Sequence, residues 1–508
     1  MNKNTLILIG FLLAKFTIQY TLILPEYELH RDEYLHLDQA NHLAWGYLSI
    51  PPVTSWISYL IGLSGNSAFM VKFFPALFGA LTMLIVWKTI EELKGNLFAL
   101  VLGAVSILFS IILRINSLYQ PNSLDILLWT LLYFTLIKYI NSKNNKWLWI
   151  AALTFAFGFL NKYNIVFLLL GLLPALLVTQ HRNIFFKKHF YLSFGFALLL
   201  VSPNLVWQYN NNFPVFHHLN ELAETQLQNV DRMDFLKEQI LFFIGSAFVI
   251  IVAFFSLFIY KPFKKFKLFF WSFLFTLLIF VYFKAKGYYA IGLYPILLAF
   301  GAVYLEQLLK DSWKIYLRPV AILIQILLFI PVLQLAFPNS SPLEIQQNSQ
   351  DYKDFGLLRW EDGEDHTLPQ DFADMLGWKE LAEKVDSAYI DIASGDNTLI
   401  LCDNYGQAGA INYYSKIKSI QAVSFNADYI NWFPLDRTIK NVILVKEATD
   451  SDKNREKEKP IFDTVEQFGE IKNSFAREKG TRIYVLKNAK SDFNKIIKQE
   501  INERKNFR

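Results

Sequence analysis

Asp32 and Glu33 stand side by side in LPEYELHRDEYLHL, directly after a largely apolar run from Leu6 to Leu24. A run of roughly twenty such residues can cross a bilayer as a helix, so the acidic pair is expected close to the membrane surface. Carboxylates in that position rarely serve packing alone. One of them can accept the proton of an attacking hydroxyl. Lys72, Lys162, Lys284 and Lys286 recur where other apolar runs meet loops. Ammonium groups at membrane depth suit an anionic ligand, and they stabilise charge growing on phosphate oxygen most strongly where water is excluded. A base together with such cations is what moving a sugar from a phosphate carrier to a hydroxyl requires. That leaving group needs no general acid, and the oxocarbenium character at the anomeric carbon favours nearby aromatic or carboxylate groups.

Plainer roles compete for each residue. A single interfacial lysine can simply snorkel to the headgroups, so only several converging on the face that holds Asp32 argue for a site. Asp32 or Glu33 could cap a short surface helix over Leu35 to Trp45, in which Tyr34, Leu37, Asn41 and Trp45 fall at helical spacing. Capping and catalysis are compatible. Trp45, Tyr47 and Trp56 suit a membrane interface as well as a sugar. Asp125, one turn into the apolar run of QPNSLDILLW, is either a partner for a lysine or an acid favoured by the helix dipole. The adjacent His217 and His218 lack the i, i+4 spacing of a helix-borne zinc pair. Asp32 and Glu33 could hold a divalent ion through oxygen ligands, but two neighbouring carboxylates are too little to assign one, and no cofactor is assigned.

The elements that must position these groups are largely membrane helices. Of 508 residues 53% are hydrophobic and 47 are Phe, too apolar for an ordinary soluble protein and too long for one domain. A net charge of +5 without a long basic run argues against nucleic acid. The single cysteine, Cys402, excludes an internal disulfide framework and a multi-thiolate zinc site. No Gly-rich phosphate loop is present. The first run lacks a small-residue cleavage site and contains Lys15, so it is expected to be a retained helix.

Apolar runs of spanning length recur near 69–90, 97–115, 122–140, 146–160, 163–180, 190–207, 238–260, 268–283, 288–308 and 316–337. With the first helix they make about eleven spans. Lysine-rich turns such as Lys143 to Lys146, Arg182 to Lys188 and Lys261 to Lys267 assign one face to the cytoplasm, and Asp32 to the other. After Pro338 the composition turns to mixed charge, with strands expected at Thr398–Cys402, Thr438–Val445 and Thr481–Leu486. Helices are expected at Leu376–Val385 and Gln407–Tyr414, and a solvated loop at Asp450–Lys459. The expected architecture is therefore an all-α polytopic membrane domain over 1–337, with an outer loop at 25–66, and an extracytoplasmic α/β domain over 338–508.

Several stretches, in order, carry a resemblance: ELHRDEYLHL with HLAWGY and the paired prolines at 28–52, KFFPALFGA at 72–80, QPNSLDILLW at 120–129, FGFLNKYN at 157–164, SPNLVWQYNNNFPVFHHL at 202–219, KGYYAIGLYP at 286–295 and DNYGQAGAINYY at 403–414. The chain resembles bacterial members of glycosyltransferase family 39, integral-membrane enzymes similar to protein O-mannosyltransferases and to the lipid A aminoarabinose transferase. The resemblance implies a C-type fold in the plasma (inner) membrane and a polyprenyl-phosphate sugar donor used on the outer face with inversion. It makes Asp32, with Glu33, the catalytic position and assigns Lys72 and Lys286 to donor phosphate. Lys162 and Lys284 are expected to join them, with Asp125, Tyr288 and Tyr289 in support. The acceptor hydroxyl, on glycan, glycolipid or protein, stays open. Related sequences often carry an Asp and a His where this chain has Ser49 and Ile50. A transporter or flippase of a lipid-linked sugar, or a lipid-binding scaffold, would use the same composition, but ionisable groups clustered at one edge and no inverted repeat favour the transferase.

Overall fold

The computed structural model describes residues 2–225, 227, 230–392 and 397–506. In lipid a backbone must satisfy its hydrogen bonds within the segment, and each of the expected apolar runs is a helix or a pair of helices. Six helices are long and apolar enough to cross a membrane: Ala68–Glu92, Pro121–Ser142, Lys188–Asn210, Lys261–Tyr282, Gly287–Leu308 and Ser312–Leu335. A seventh arises if Arg232–Leu241 and Ile244–Ile259, bent by 68° at their break, form one span.

The expected count of about eleven therefore corresponds to six or seven helices of full length among the described residues. Leu97–Leu108, Lys146–Asn161 and Ile165–Leu177 occur where expected but are shorter, and the 19-residue helix Lys3–Thr21 stands at the start. Hydropathy does not register a break such as the one at Phe109, which ends one helix before the short turn Ile112–Ile115. Lys15, inside the first helix, is fully buried and donates to Gln19 Oε1 at 3.0 Å instead of reaching a boundary.

The carboxy-terminal part is built on a five-stranded sheet, β1 (Thr398–Cys402), β2 (Ala422–Ser424), β3 (Asn441–Lys446), β4 (Phe462–Glu470) and β5 (Arg482–Ala489). Its order is β2-β1-β3-β5-β4, with β1 parallel to β2 and β3, and β5 antiparallel to β3 and β4. TLILC of β1 is buried along its whole length, as a central parallel strand must be. Helices Trp378–Ile392 and Tyr405–Tyr414 cover one face and Phe493–Asn506 the other. The expected helix at Leu376–Val385 starts at Trp378 and continues to Ile392. Strand β4 escapes the periodicity because an exposed edge strand carries few apolar residues. The charged segment Asp450–Lys459 is an irregular, mostly exposed loop, pinned by Arg455, which is 2% exposed and pairs with Asp450 at 2.6 Å.

One apolar cluster joins the two parts. Leu29, Tyr34, Leu35 and Leu37 of the loop after the first helix pack with Ile61 and Val71 on one side. On the other they meet Trp378, Val385, Ala408 and Ile411. The loop thus folds as a layer between the membrane helices and the sheet domain.

Candidate active site

The central element is a helix over Arg31–Asp38, which starts four residues before the expected Leu35 and ends well before Trp45. His30 caps it. Its Nδ1 accepts from the Asp32 N–H at 3.2 Å, while Glu33 Oε2 accepts from the His30 N–H at 2.7 Å, a reciprocal capping box. Neighbouring side chains diverge on a helix, so Asp32 and Glu33 enter different environments. Glu33 is fully buried, and its two oxygens accept from Lys72 Nζ at 2.8 Å each and from the Tyr119 N–H at 2.6 Å. Lys72 is therefore committed to Glu33. The pair ties the short helix to Ala68–Glu92.

Asp32 retains 35% of its side-chain exposure. Its Oδ1 accepts from the Tyr405 hydroxyl at 2.6 Å and its Oδ2 from Gln120 Nε2 at 3.0 Å. Partial burial pushes its acidity down, but the charges of His30 and Arg31 and the Tyr405 hydrogen bond outweigh it. The carboxyl is held below its ordinary range. Arg31 lies over the Tyr405 ring at 4.6 Å, with its buried Nε unpaired.

Tyr405 reaches Asp32 because its helix approaches closely, and GQAG in DNYGQAGAINYY makes that approach feasible. A Cβ on Gly409 would lie 2.7 Å from Tyr34 Cβ and from the Tyr429 hydroxyl, and one on Gly406 would lie 3.2 Å from Arg31 Cβ. Asn404 caps the helix from the sheet side, accepting from the Gln407 N–H at 3.0 Å.

From Asp32 a chain of amides leads to a cation. Gln120 Oε1 accepts from Asn122 Nδ2 at 2.9 Å, and Asn122 Oδ1 accepts from Lys162 Nζ at 2.7 Å. The ammonium lies over the Tyr289 ring at 4.3 Å and the Tyr288 ring at 5.2 Å. Asp125 makes no hydrogen bond to a lysine. It accepts from Trp129 Nε1 and Asn164 Nδ2, both at 2.9 Å, and Asn164 also donates to the Tyr289 carbonyl. Asp125 thus holds the loop that carries the two tyrosines.

Lys286 pairs with Glu361 at 2.8 Å, in a half-exposed contact that an incoming anion can displace at little cost. Lys284 sits in the left-handed conformation past the end of Lys267–Tyr282 (φ 52°). The four expected lysines therefore do not converge equally: Lys162 is linked to Asp32, Lys72 is paired with Glu33, and Lys284 and Lys286 lie in the turn between the helix Lys267–Tyr282 and Tyr288. Among the described residues no three His, Cys, Asp or Glu side chains are grouped to hold a metal ion. Gln120, Asn122, Arg31 and Tyr405 were not singled out by sequence. All four lie in the matched stretches, which is the signal that could have found them.

Residues 49–207 match the family described as dolichyl-phosphate-mannose-protein mannosyltransferase. That segment contains Lys72, Gln120, Asn122, Asp125 and Lys162, and lies carboxy-terminal to Asp32. No curated protein matches the chain by sequence. In structure the chain is similar to ArnT from Cupriavidus metallidurans bound to undecaprenyl phosphate, with TM-score 0.60 and 11% identity over 95% of this chain and 97% of that one. The apo state of the same ArnT gives TM-score 0.62 and 12% identity over 94% and 97%. The chain shares the fold of that ArnT. In this fold the Asp32 helix and the Tyr405 helix meet at the junction of the helical and sheet parts, and the polar array runs from them to the membrane helices.

Proposed function

We propose that this protein transfers a monosaccharide, hexose or pentose, from a polyprenyl-phosphate donor to an acceptor hydroxyl, with inversion, at the outer face of the plasma membrane. Asp32 is the base. The acceptor O–H gives its proton to an Asp32 oxygen, the acceptor oxygen forms the bond to the anomeric carbon, and the anomeric carbon–oxygen bond to phosphate breaks. The carrier leaves as polyprenyl phosphate with one more negative charge, and Lys162 stabilises that charge. Lys286 joins by exchanging Glu361 for phosphate, and Lys284 adds positive potential. Glu33 and Lys72 act by position, holding the helix that presents Asp32. Tyr288 and Tyr289 flank the cation and the developing oxocarbenium.

The observation that carries this reading is the hydrogen-bonded array from Asp32 to Lys162, which joins a partly exposed carboxylate to a cation that has no carboxylate bonded to it among the described residues. The apolar helices around it suit a lipid-linked donor. The sheet domain faces the same side as Asp32 and selects the acceptor. Transfer of radiolabelled sugar from a polyprenyl-phosphate donor by purified wild type and Asp32→Asn protein tests the reading. The substitution is expected to abolish transfer, and equal transfer by both would sink it.

A further inference from the structure

A pocket opens at the far end of the Arg31–Asp38 helix, about 9 Å of helical rise from Asp32. Its volume is about 290 Å³, and it lies between the loop helix and the sheet domain. On its wall Asp38 Oδ2 accepts from Asn412 Nδ2 at 2.7 Å and from the Tyr429 hydroxyl at 2.6 Å. These two bonds aim the carboxylate and leave Oδ1 with only a 3.5 Å contact to Asn41 Nδ2. Aromatic rings line the pocket as well. The Trp432 ring stacks on His42 at 4.2 Å with 9° between planes, and is braced edge-on by Tyr429 at 4.9 Å. Gln421 anchors its Nε2 on the Trp432 carbonyl at 3.2 Å, leaving its Oε1 as an acceptor on the rim.

Among the described residues no lysine or arginine lines this pocket. A phosphate or sulfate group therefore has no partner there, and the one charged wall group would repel it. A flat braced indole beside fixed carboxylate and amide groups matches a pyranose ring, which has an apolar face and a rim of hydroxyls. None of these groups takes part in the array from Asp32 to Lys162.

We propose that this pocket binds an uncharged pyranosyl unit, packed against the stacked Trp432–His42 pair and hydrogen-bonded to Asp38 Oδ1 and Gln421. Its assignment as the part of the acceptor that lies beyond the reacting hydroxyl rests on the transferase reading, and the binding itself does not. It follows that the acceptor carries a neutral sugar about one loop-helix length from the hydroxyl that is glycosylated.

The full chain in detergent is to be applied to an array of free neutral and phosphorylated oligosaccharides. Wild type should retain neutral saccharides in preference to phosphorylated ones. Trp432→Ala should weaken that binding by about ten-fold or more, a loss of about 1.4 kcal/mol. Because Trp432 also packs within the domain, Asn41→Trp, at an exposed rim position, is the second variant. It fills the mouth without removing packing and should weaken binding equally. Absence of saccharide binding by wild type, preference for phosphorylated saccharides, or wild-type binding by both variants overturns the proposal. Asp32→Asn should keep saccharide binding. Failure of the transferase reading would appear separately, as equal transfer by wild type and Asp32→Asn with the pocket still occupied.

Discussion

Asp32 and Lys162, 130 positions apart in the chain, are joined by three consecutive hydrogen bonds through Gln120 and Asn122. The two amides transmit orientation without carrying charge, so carboxylate and ammonium are held apart as separate charges instead of collapsing into an ion pair. Asn122→Leu should leave the fold intact and lower kcat by about 10–100-fold, because a misoriented ammonium no longer meets the leaving oxygen. Lys162→Met should lower kcat further and raise the donor KM. Steady-state kinetics with varied donor would check both, and an unchanged kcat in Asn122→Leu would remove the relay from the mechanism.

Glu33 and Lys72 form the opposite kind of contact, a buried ion pair with both carboxylate oxygens engaged. Removing one partner leaves an uncompensated buried charge, so Lys72→Met is expected to destabilise by about 3–5 kcal/mol. The double variant Glu33→Gln, Lys72→Met should recover part of that loss. Thermal unfolding followed by intrinsic fluorescence measures this. A Lys72→Met protein with unchanged Tm and a raised donor KM would return Lys72 to the phosphate.

The acidities of Asp32 and Asp38 move in opposite directions. Asp32 is held below its ordinary value, so its stabilising contacts are present above the unfolded carboxylate pKa and are lost as pH falls through the folded one. The acid limb of kcat/KM should accordingly lie below about pH 4. Asp38 is pushed by burial up to about 6, against hydrogen bonds from Asn412 and Tyr429. Its contribution is present below the unfolded pKa and disappears as pH rises through about 6. Tm measured between pH 4 and pH 7 should show this decline in wild type and a flatter profile in Asp38→Asn. Identical profiles would mean that Asp38 ionises without strain.

The approach of the Tyr405 helix to Tyr34 leaves no room for a side chain at Gly409. Gly409→Val should cost about 1–3 kcal/mol and draw Tyr405 away from Asp32. Tyr405→Phe isolates the second effect, with near-normal Tm and kcat lowered about ten-fold for loss of one hydrogen bond to the base. Normal turnover in Tyr405→Phe would make that bond structural only.

The class of this protein was legible in one dimension. Apolar runs of membrane length require helices whatever surrounds them, because backbone groups have no other partner in lipid, and the runs from Leu6 to Phe337 are all helical. The acid pair beside the first run likewise drew attention to the loop after it, since a charge at that depth needs a reason. What hydropathy could not determine was where helices bend or stop short, or which of two adjacent carboxylates stays partly exposed and which is sealed against Lys72. Nor could spacing reveal that Gln120, Asn122 and Lys162 form one array, or that Tyr405 arrives from a helix 373 residues beyond Asp32. Those outcomes depend on which helix faces meet, and a meeting of faces is a property of packing in three dimensions: the 2.7 Å clearance at Gly409, not any local pattern, is what brings Tyr405 to the acid.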